Sequence, residues 1–251
     1  MKKFINKILA FLSPAILIAL FILVYYVYKK SKVDTELQRI STYECILLGD
    51  SQMQRINPNA FSMKTYNLAS SGEHYYFTYQ KLNTLLHFKN HHIKTIVLST
   101  SIHNFAPVYN KLFDLSYSQG QSSLREYLYF INLSDFSFLG KKELTIKSLL
   151  KGLLLEPNWG GFKESTHTNP DSAIIMESVK MHYSISEKES KYSINQVKYL
   201  YLIDSLCQAN KIELYLVSTP YHPFYERNIP SGYTAYFEEA IKHIAYAQYM
   251  D

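Results

Sequence analysis

Two cysteines in 251 residues exclude a disulfide-stapled fold, and no paired-cysteine spacing for a structural zinc site occurs. Glycine and proline are equally sparse, with eight of each, which excludes a collagen-like repeat or a long low-complexity linker. There is no glycine-rich phosphate loop. Acidic residues are missing from the first 32 positions, where six lysines lie (Lys2, Lys3, Lys7, Lys29, Lys30 and Lys32). The formal net charge of +5 therefore belongs to one end of the chain. Residues 33–251 hold 20 basic against 21 acidic side chains. A duplex binder carries its basic side chains on the folded body, so no nucleic-acid partner is expected.

What the chain does have is apolar surface to bury. It is 47% hydrophobic, and 23 tyrosines help bring the aromatic share to 15%. That suffices for one domain of ordinary size with a sizeable core. Ile8–Tyr28 runs for 21 residues without a formal charge. At about 1.5 Å per residue such a helix spans roughly 30 Å, the thickness of a bilayer's hydrocarbon layer. Tyr25, Tyr26 and Tyr28 lie at its exit, where aromatic rings favour the membrane boundary, and three lysines follow. Pro14 falls inside the run and marks a place for a kink. A cleaved signal peptide has a shorter apolar region and small residues at its exit; here the exit reads Tyr-Tyr-Val-Tyr-Lys-Lys. Residues 1–32 are therefore expected to form an N-terminal membrane anchor, with its helix at about 8–28. Three lysines at each end leave the positive-inside bias near a tie.

Residues 33–42 are polar and read as a short linker. Beyond them, in the domain 33–251, strands are expected at Glu44–Gly49, Lys64–Leu68, Lys94–Thr100 and Ile212–Ser218, with the start of another at Tyr246–Asp251. Helices are expected at Tyr75–Lys89, after a Ser193/Gln196 capping box, and at Thr234–Ala245. This alternation predicts an α/β fold with a mostly parallel sheet covered on both faces. Residues 105–192 interrupt it. They contain aromatic Tyr127–Phe130, a leucine-rich helix over Glu143–Leu155 and a Trp159-Gly160-Gly161 turn, and an insertion of that length reads as a lid or binding wall.

Ligands of open parallel sheets collect at the carboxyl ends of the strands. Three segments fall there: Gly49-Asp50-Ser51, Asn67–Gly72 and Ser99–Asn104. Ser51 is expected to open a helix, with its hydroxyl exposed and its N–H where developing negative charge is favoured. Each segment also reads plainly as a turn or a cap. His91-His92 are adjacent and do not face one ion; no metal and no cofactor is expected. Cys45 and Cys207 read as small buried hydrophobes. Arg55 reads as a contact for an anionic substrate or as a surface residue.

Ile46-Leu47-Leu48-Gly49-Asp50-Ser51, then Gly72, then Asn104, resembles the first three blocks of the SGNH (GDSL-type) hydrolase superfamily, and most of all its membrane-anchored bacterial branch. The likeness covers Tyr43–Asn104 well and Ile212–Asp251 more loosely. It implies a flavodoxin-like three-layer α/β/α sandwich. It further implies Ser51 as nucleophile, and Gly72 (N–H) and Asn104 (side chain) as oxyanion donors beside the Ser51 N–H. Two departures stand out. Ile102 replaces the glycine usual two residues before the asparagine. The Asp-x-x-His that supplies the family's acid and base is missing, and Tyr249-Met250-Asp251 end the chain where the last strand begins. The resemblance thus implies either a chain ending before its catalytic pair or a member without one, with His222 and His103 as other candidates for the base.

The function this implies is that of a membrane-anchored esterase or acyltransferase acting on acylated cell-envelope glycan or a lipid-linked substrate. The alternative is a non-catalytic tethered binding or scaffold protein in envelope polysaccharide modification. Either way the body is expected outside the cytoplasm, on a single-pass anchor in the cytoplasmic membrane.

Overall fold

Five strands of three to five residues form one sheet; the central ones are short apolar runs, as in Cys45-Ile46-Leu47-Leu48. β1 (Cys45–Leu48), β2 (Thr65–Asn67), β3 (Thr95–Ser99), β4 (Glu213–Val217) and β5 (Gln248–Met250) are all parallel, in the order β2-β1-β3-β4-β5. The computed structural model describes residues 2–112, 114–131, 142–164, 171–184 and 191–250, with backbone alone for 2–10 and 142–144. Among these residues nine α-helices accompany the sheet.

Alternation along the strands sorts side chains onto two faces. Ile46, Leu48, Ile96, Leu98, Leu214 and Leu216 are buried in the main core. That core is closed by α1 (Lys2–Ile40), α2 (Tyr75–His87), α7 (Ile194–Asn210) and α9 (Tyr233–Lys242). Fully burying one such leucine or isoleucine stabilises the fold by about 1.5–3 kcal/mol. Cys45, Leu47 and Val97 face the other way, towards Met53 and Phe61. This second face is buried at β1, where Cys45 and Leu47 are 1% and 0% exposed, by the β1–β2 connection. That connection makes only single 3-10 turns (Met53–Arg55 and Pro58–Ala60), too short to roof the whole sheet. An apolar trough of about 380 Å³ remains, lined among others by Cys45, Met53, Val97, Tyr215 and Met250.

α1 continues through Pro14 to Ile40 without a break. Within Phe11–Ile40 mean hydropathy reaches 2.2, and Phe11, Leu17 and Phe21 are exposed at 82%, 65% and 71%. By length and composition this one helix is able to cross a membrane. The polar linker expected over 33–42 does not form. Val33, Leu37 and Ile40, spaced on one helical face, are buried against the core, while Lys30–Asp34 and Glu36–Arg39 pair on the outside. The charged residues hid that stripe.

α7 begins after Ser193 as expected, yet the capping box is not made. Gln196 Oε1 instead accepts the Tyr75 N–H at 2.7 Å, tying α7 to the first turn of α2. α2 also carries a fully buried ion pair, Lys81 Nζ to Glu73 Oε2 at 2.5 Å. The Thr78 and Tyr127 hydroxyls donate to the same carboxylate.

The 105–192 segment contributes α3 (Val108–Lys111), α4 (Ser118–Glu126), α5 (Lys142–Leu154) and α6 (Ser172–Tyr183); α8 (Pro223–Arg227) follows β4. Positions 113, 132–141, 165–170 and 185–190 of the segment, like Asp251, lie outside the described residues. The Trp159-Gly160-Gly161 turn docks on the end of β2, where the Gly161 N–H donates to the Ala69 carbonyl at 2.8 Å.

Candidate active site

The carboxyl ends of β1, β2 and β3 are tied together by short-range contacts. Gly49 leaves β1 at φ 121°, and a Cβ on it would lie 2.1 Å from Ser99 Oγ at the end of β3. Only glycine tolerates both conditions. The Asp50 N–H donates to Ser99 Oγ at 3.1 Å, and the Ser70 N–H donates to the Gly49 carbonyl at 2.9 Å. Asp50, 2% exposed, is thereby fixed beneath the turn that carries Ser51.

The carboxylate of Asp50 is fully used. Oδ1 accepts the Gln52 N–H at 3.0 Å, and Oδ2 meets His103 Nε2 and Asn104 Nδ2, each at 2.8 Å. Burial by itself would raise its pKa. The hydrogen bond and charge of His103, with the Asn104 amide and the Gln52 N–H, outweigh burial and hold the carboxyl well below the usual range.

Ser51 is half-buried in a turn followed by the single 3-10 turn Met53–Arg55. The helix expected to open at Ser51 is therefore absent there, because Gln52–Arg55 close one turn before Ile56 turns extended. Neither the Ser51 hydroxyl nor its N–H has a hydrogen-bond partner among the described residues. Gly72 is the third residue of the turn Ser70–Glu73, closed by the Glu73 N–H on the Ser70 carbonyl at 3.1 Å. Its φ of 65° suits glycine at that place, and its N–H is likewise unpartnered among the described residues.

Ser51 and Gly72 line one cavity of about 470 Å³ together with Asp50, Arg55, His103, Tyr109, Tyr221 and His222. α6 closes another side with Ile174, Ile175, Ser178, Met181 and His182. Asn104 is not among the lining residues. It is fully buried: its Oδ1 accepts the Ser101 N–H at 2.8 Å, and its amide nitrogen lies between Asp50 and the Tyr109 hydroxyl. Ile102 packs between two apolar clusters and does not line the cavity.

No family model, curated protein or solved structure matches this chain.

The chemistry of the site therefore rests on its own geometry, and the imidazoles differ in what they offer. His103 Nε2 faces a carboxylate, which only accepts, so that nitrogen carries a proton. Its Nδ1 lies 3.0 Å from the Tyr221 hydroxyl, which also accepts the His103 backbone N–H. His222 caps α8: its Nδ1 accepts the Phe224 N–H at 3.1 Å. The neutral ring then bears its proton on Nε2 and presents a donor rather than a base. Arg55 is exposed and has no ion-pair partner among the described residues.

Two participants escaped the sequence reading. His182, on α6, stacks on His103 at 5.2 Å, and its Nδ1 lies 2.6 Å from the Tyr225 hydroxyl. Burial, with the nearby His103 charge, lowers its pKa to about 4. Tyr221 holds His103 from the end of β4. The second had a signal, since Thr219-Pro220-Tyr221-His222 follows a strand at the site's edge. The first had none, because its placement depends on the 105–192 segment. Among the described residues no three His, Cys, Asp or Glu side chains gather to hold a metal ion.

Proposed function

We propose that the chain is a membrane-anchored serine esterase or acyltransferase of the SGNH type. Its substrate would be an acylated cell-envelope glycan or a lipid-linked acyl donor. One observation carries this reading: Ser51 and Gly72 line one cavity, and among the described residues the Ser51 hydroxyl and the N–H groups of both have no hydrogen-bond partner. An acyl carbonyl placed there meets a nucleophile and two donors for the oxyanion of its tetrahedral intermediate. The Asp50–His103 pair supports the reading, since an imidazole fixed by a buried carboxylate is how serine hydroxyls are activated. His103 and Tyr221, whose Nδ1 and hydroxyl lie 3.0 Å apart, line the same cavity as Ser51. The strand order 2-1-3-4-5 is that of flavodoxin-like sheets, and the trough beside β4 and β5 is where a third layer would lie. α1 serves as the single-pass anchor in the cytoplasmic membrane, with the short N-terminus inside and the domain outside.

A second reading has its own support. The Asn104 amide is turned onto Asp50 rather than into the cavity, and no imidazole nitrogen is hydrogen-bonded to Ser51 among the described residues. This favours a tethered binding or scaffold protein of envelope polysaccharide modification. Turnover of a short-chain aryl acyl ester separates the two. The enzyme reading expects turnover by the parent protein and a fall of several orders of magnitude in Ser51→Ala. Equal background rates for both would leave the binding reading.

A further inference from the structure

α5 is turned inside out for a helix on a water-soluble surface. Thr145, Ser148 and Gly152 face inward, where a Cβ on Gly152 would lie 3.1 Å from the Arg125 backbone of α4. Ile146, Leu150 and Leu154 face outward at 58%, 45% and 77% exposure. With 3.6 residues per turn the order around the helix is fixed. The small inward residues come first, then Leu149 and Leu153 towards α1. The exposed apolar stripe follows, and last Lys147 and Lys151, both exposed. A soluble amphipathic helix buries its large apolar residues instead.

The stripe does not stand alone. Leu149 and Leu153 of α5, with Leu128, face Ala19, Ile22, Leu23 and Tyr26 of α1 across a wholly apolar groove of about 330 Å³. Those α1 positions belong to the span able to cross a membrane. Tyr26 stacks on Tyr129, and at the groove's end Lys29 Nζ meets Glu156 at 2.5 Å. Ala19 lies about 15 Å along the helix from Lys29. Hence α5 flanks the anchor within the depth of one monolayer.

The direction of α1 places the active-site edge on the same side. Only four residues, 41–44, join α1 to β1, and Val33, Leu37 and Ile40 share a core with Ile46 and Leu48. The two elements therefore run antiparallel. The His92 N–H donating to the Ser41 carbonyl puts the end of α1 beside the start of β3. The apolar span accordingly leaves the domain at the carboxyl edge of the sheet, where Ser51 lies.

We propose that α5 is an interfacial membrane helix, its Ile146–Leu150–Leu154 stripe and its groove against α1 both filled by phospholipid acyl chains. Lys147 and Lys151, on flexible stems, reach the headgroups and favour anionic lipid. The domain is thereby held with its Ser51 cavity against the monolayer. A substrate whose acyl group enters from that monolayer is the class such seating fits. The inference rests on reading α1 as a membrane anchor.

The test uses the full chain reconstituted in vesicles of phosphatidylethanolamine and phosphatidylglycerol. An environment-sensitive nitrobenzoxadiazole label is placed in turn on Leu150→Cys, Leu154→Cys, Leu17→Cys and Gln208→Cys. The native Cys45 and Cys207 are buried and do not compete in the folded protein. Labels at 150 and 154 are expected to emit at shorter wavelength and to lose intensity to lipids carrying a spin label on the acyl chain. The label at 208, on the far edge of the sheet, is expected to do neither. Water-like emission at 150 and 154, with quenching at 17, overturns the inference and leaves the anchor intact. An apolar emission at 150 without lipid quenching assigns the stripe to a protein partner and also overturns it. Water-like emission at 17 removes the anchor and the inference together.

Discussion

His103 Nε2 and Asp50 Oδ2 meet at 2.8 Å, from β-strand ends 53 residues apart in sequence, one position before Ser51. The carboxylate fixes the ring's orientation and the nitrogen that carries its proton. Asp50→Asn exchanges an acceptor for a group that also donates, which disturbs the pair without changing its volume. Turnover is expected to fall about 10²–10⁴-fold, with KM little changed. Steady-state kinetics on a folded variant check this. Unchanged kcat would reduce the pair to a structural contact.

Two glycines at the site carry positive φ and differ in the space around them. Gly49 at 121° has Ser99 Oγ 2.1 Å from where a Cβ would stand; Gly72 at 65° has nothing within 4 Å. Gly72→Ala is therefore expected to cost about 1–2 kcal/mol, the price of the left-handed conformation alone. Gly49→Ala adds a steric clash to backbone strain and is expected to cost more than about 3 kcal/mol. Urea unfolding of both variants tests the order.

The Glu73–Lys81 pair is fully buried. Removing one partner leaves an uncompensated charge, so Glu73→Gln or Lys81→Met is expected to destabilise by about 3–5 kcal/mol. The double variant should be less unstable than the two losses added together. A double-mutant cycle of unfolding free energies measures that coupling.

Acid sensitivity should begin near neutral pH. Burial lowers the pKa of His74, whose Nδ1 caps α2, to about 3, against about 6.5 in the unfolded chain. As pH falls from 6.5 towards 3 the unfolded state takes up a proton that the folded state refuses, so stability falls. Its slope reaches about 1.4 kcal/mol per pH unit. His182, lowered to about 4, adds to the loss over the upper part of that window. Asp50 acts in the same direction lower down, its contribution disappearing only as pH falls through and below the ordinary carboxylate range. His74→Asn keeps a capping side chain and is expected to flatten the curve between pH 6.5 and 4, as measured by thermal unfolding.

Much of the sheet could be read from Cys45–Leu48, Thr95–Ser99 and Glu213–Val217, because a buried parallel strand is a short apolar run with turn residues after it. The end of the first of those runs also located Ser51, and the end of the expected Lys64–Leu68 strand located Gly72. The inner stripe of α1 was hidden, since Val33, Leu37 and Ile40 are separated by charged residues that make ion pairs outside. Gln196 looked like a local cap but bonds across to α2, which no local pattern encodes. Asn104 was placed at the right edge of the sheet, while the direction of its amide depends on Asp50 and Tyr109. His182 enters from a helix whose position follows from tertiary packing alone.

The central claim is that Ser51 is a reactive hydroxyl. Incubating the folded parent protein and its Ser51→Ala variant with a fluorophosphonate, then mapping the adduct by mass spectrometry, tests it directly. The expected result is one phosphonylated serine at position 51 in the parent and no label in the variant. A folded parent that stays unlabelled, or a variant labelled equally well, would contradict the account.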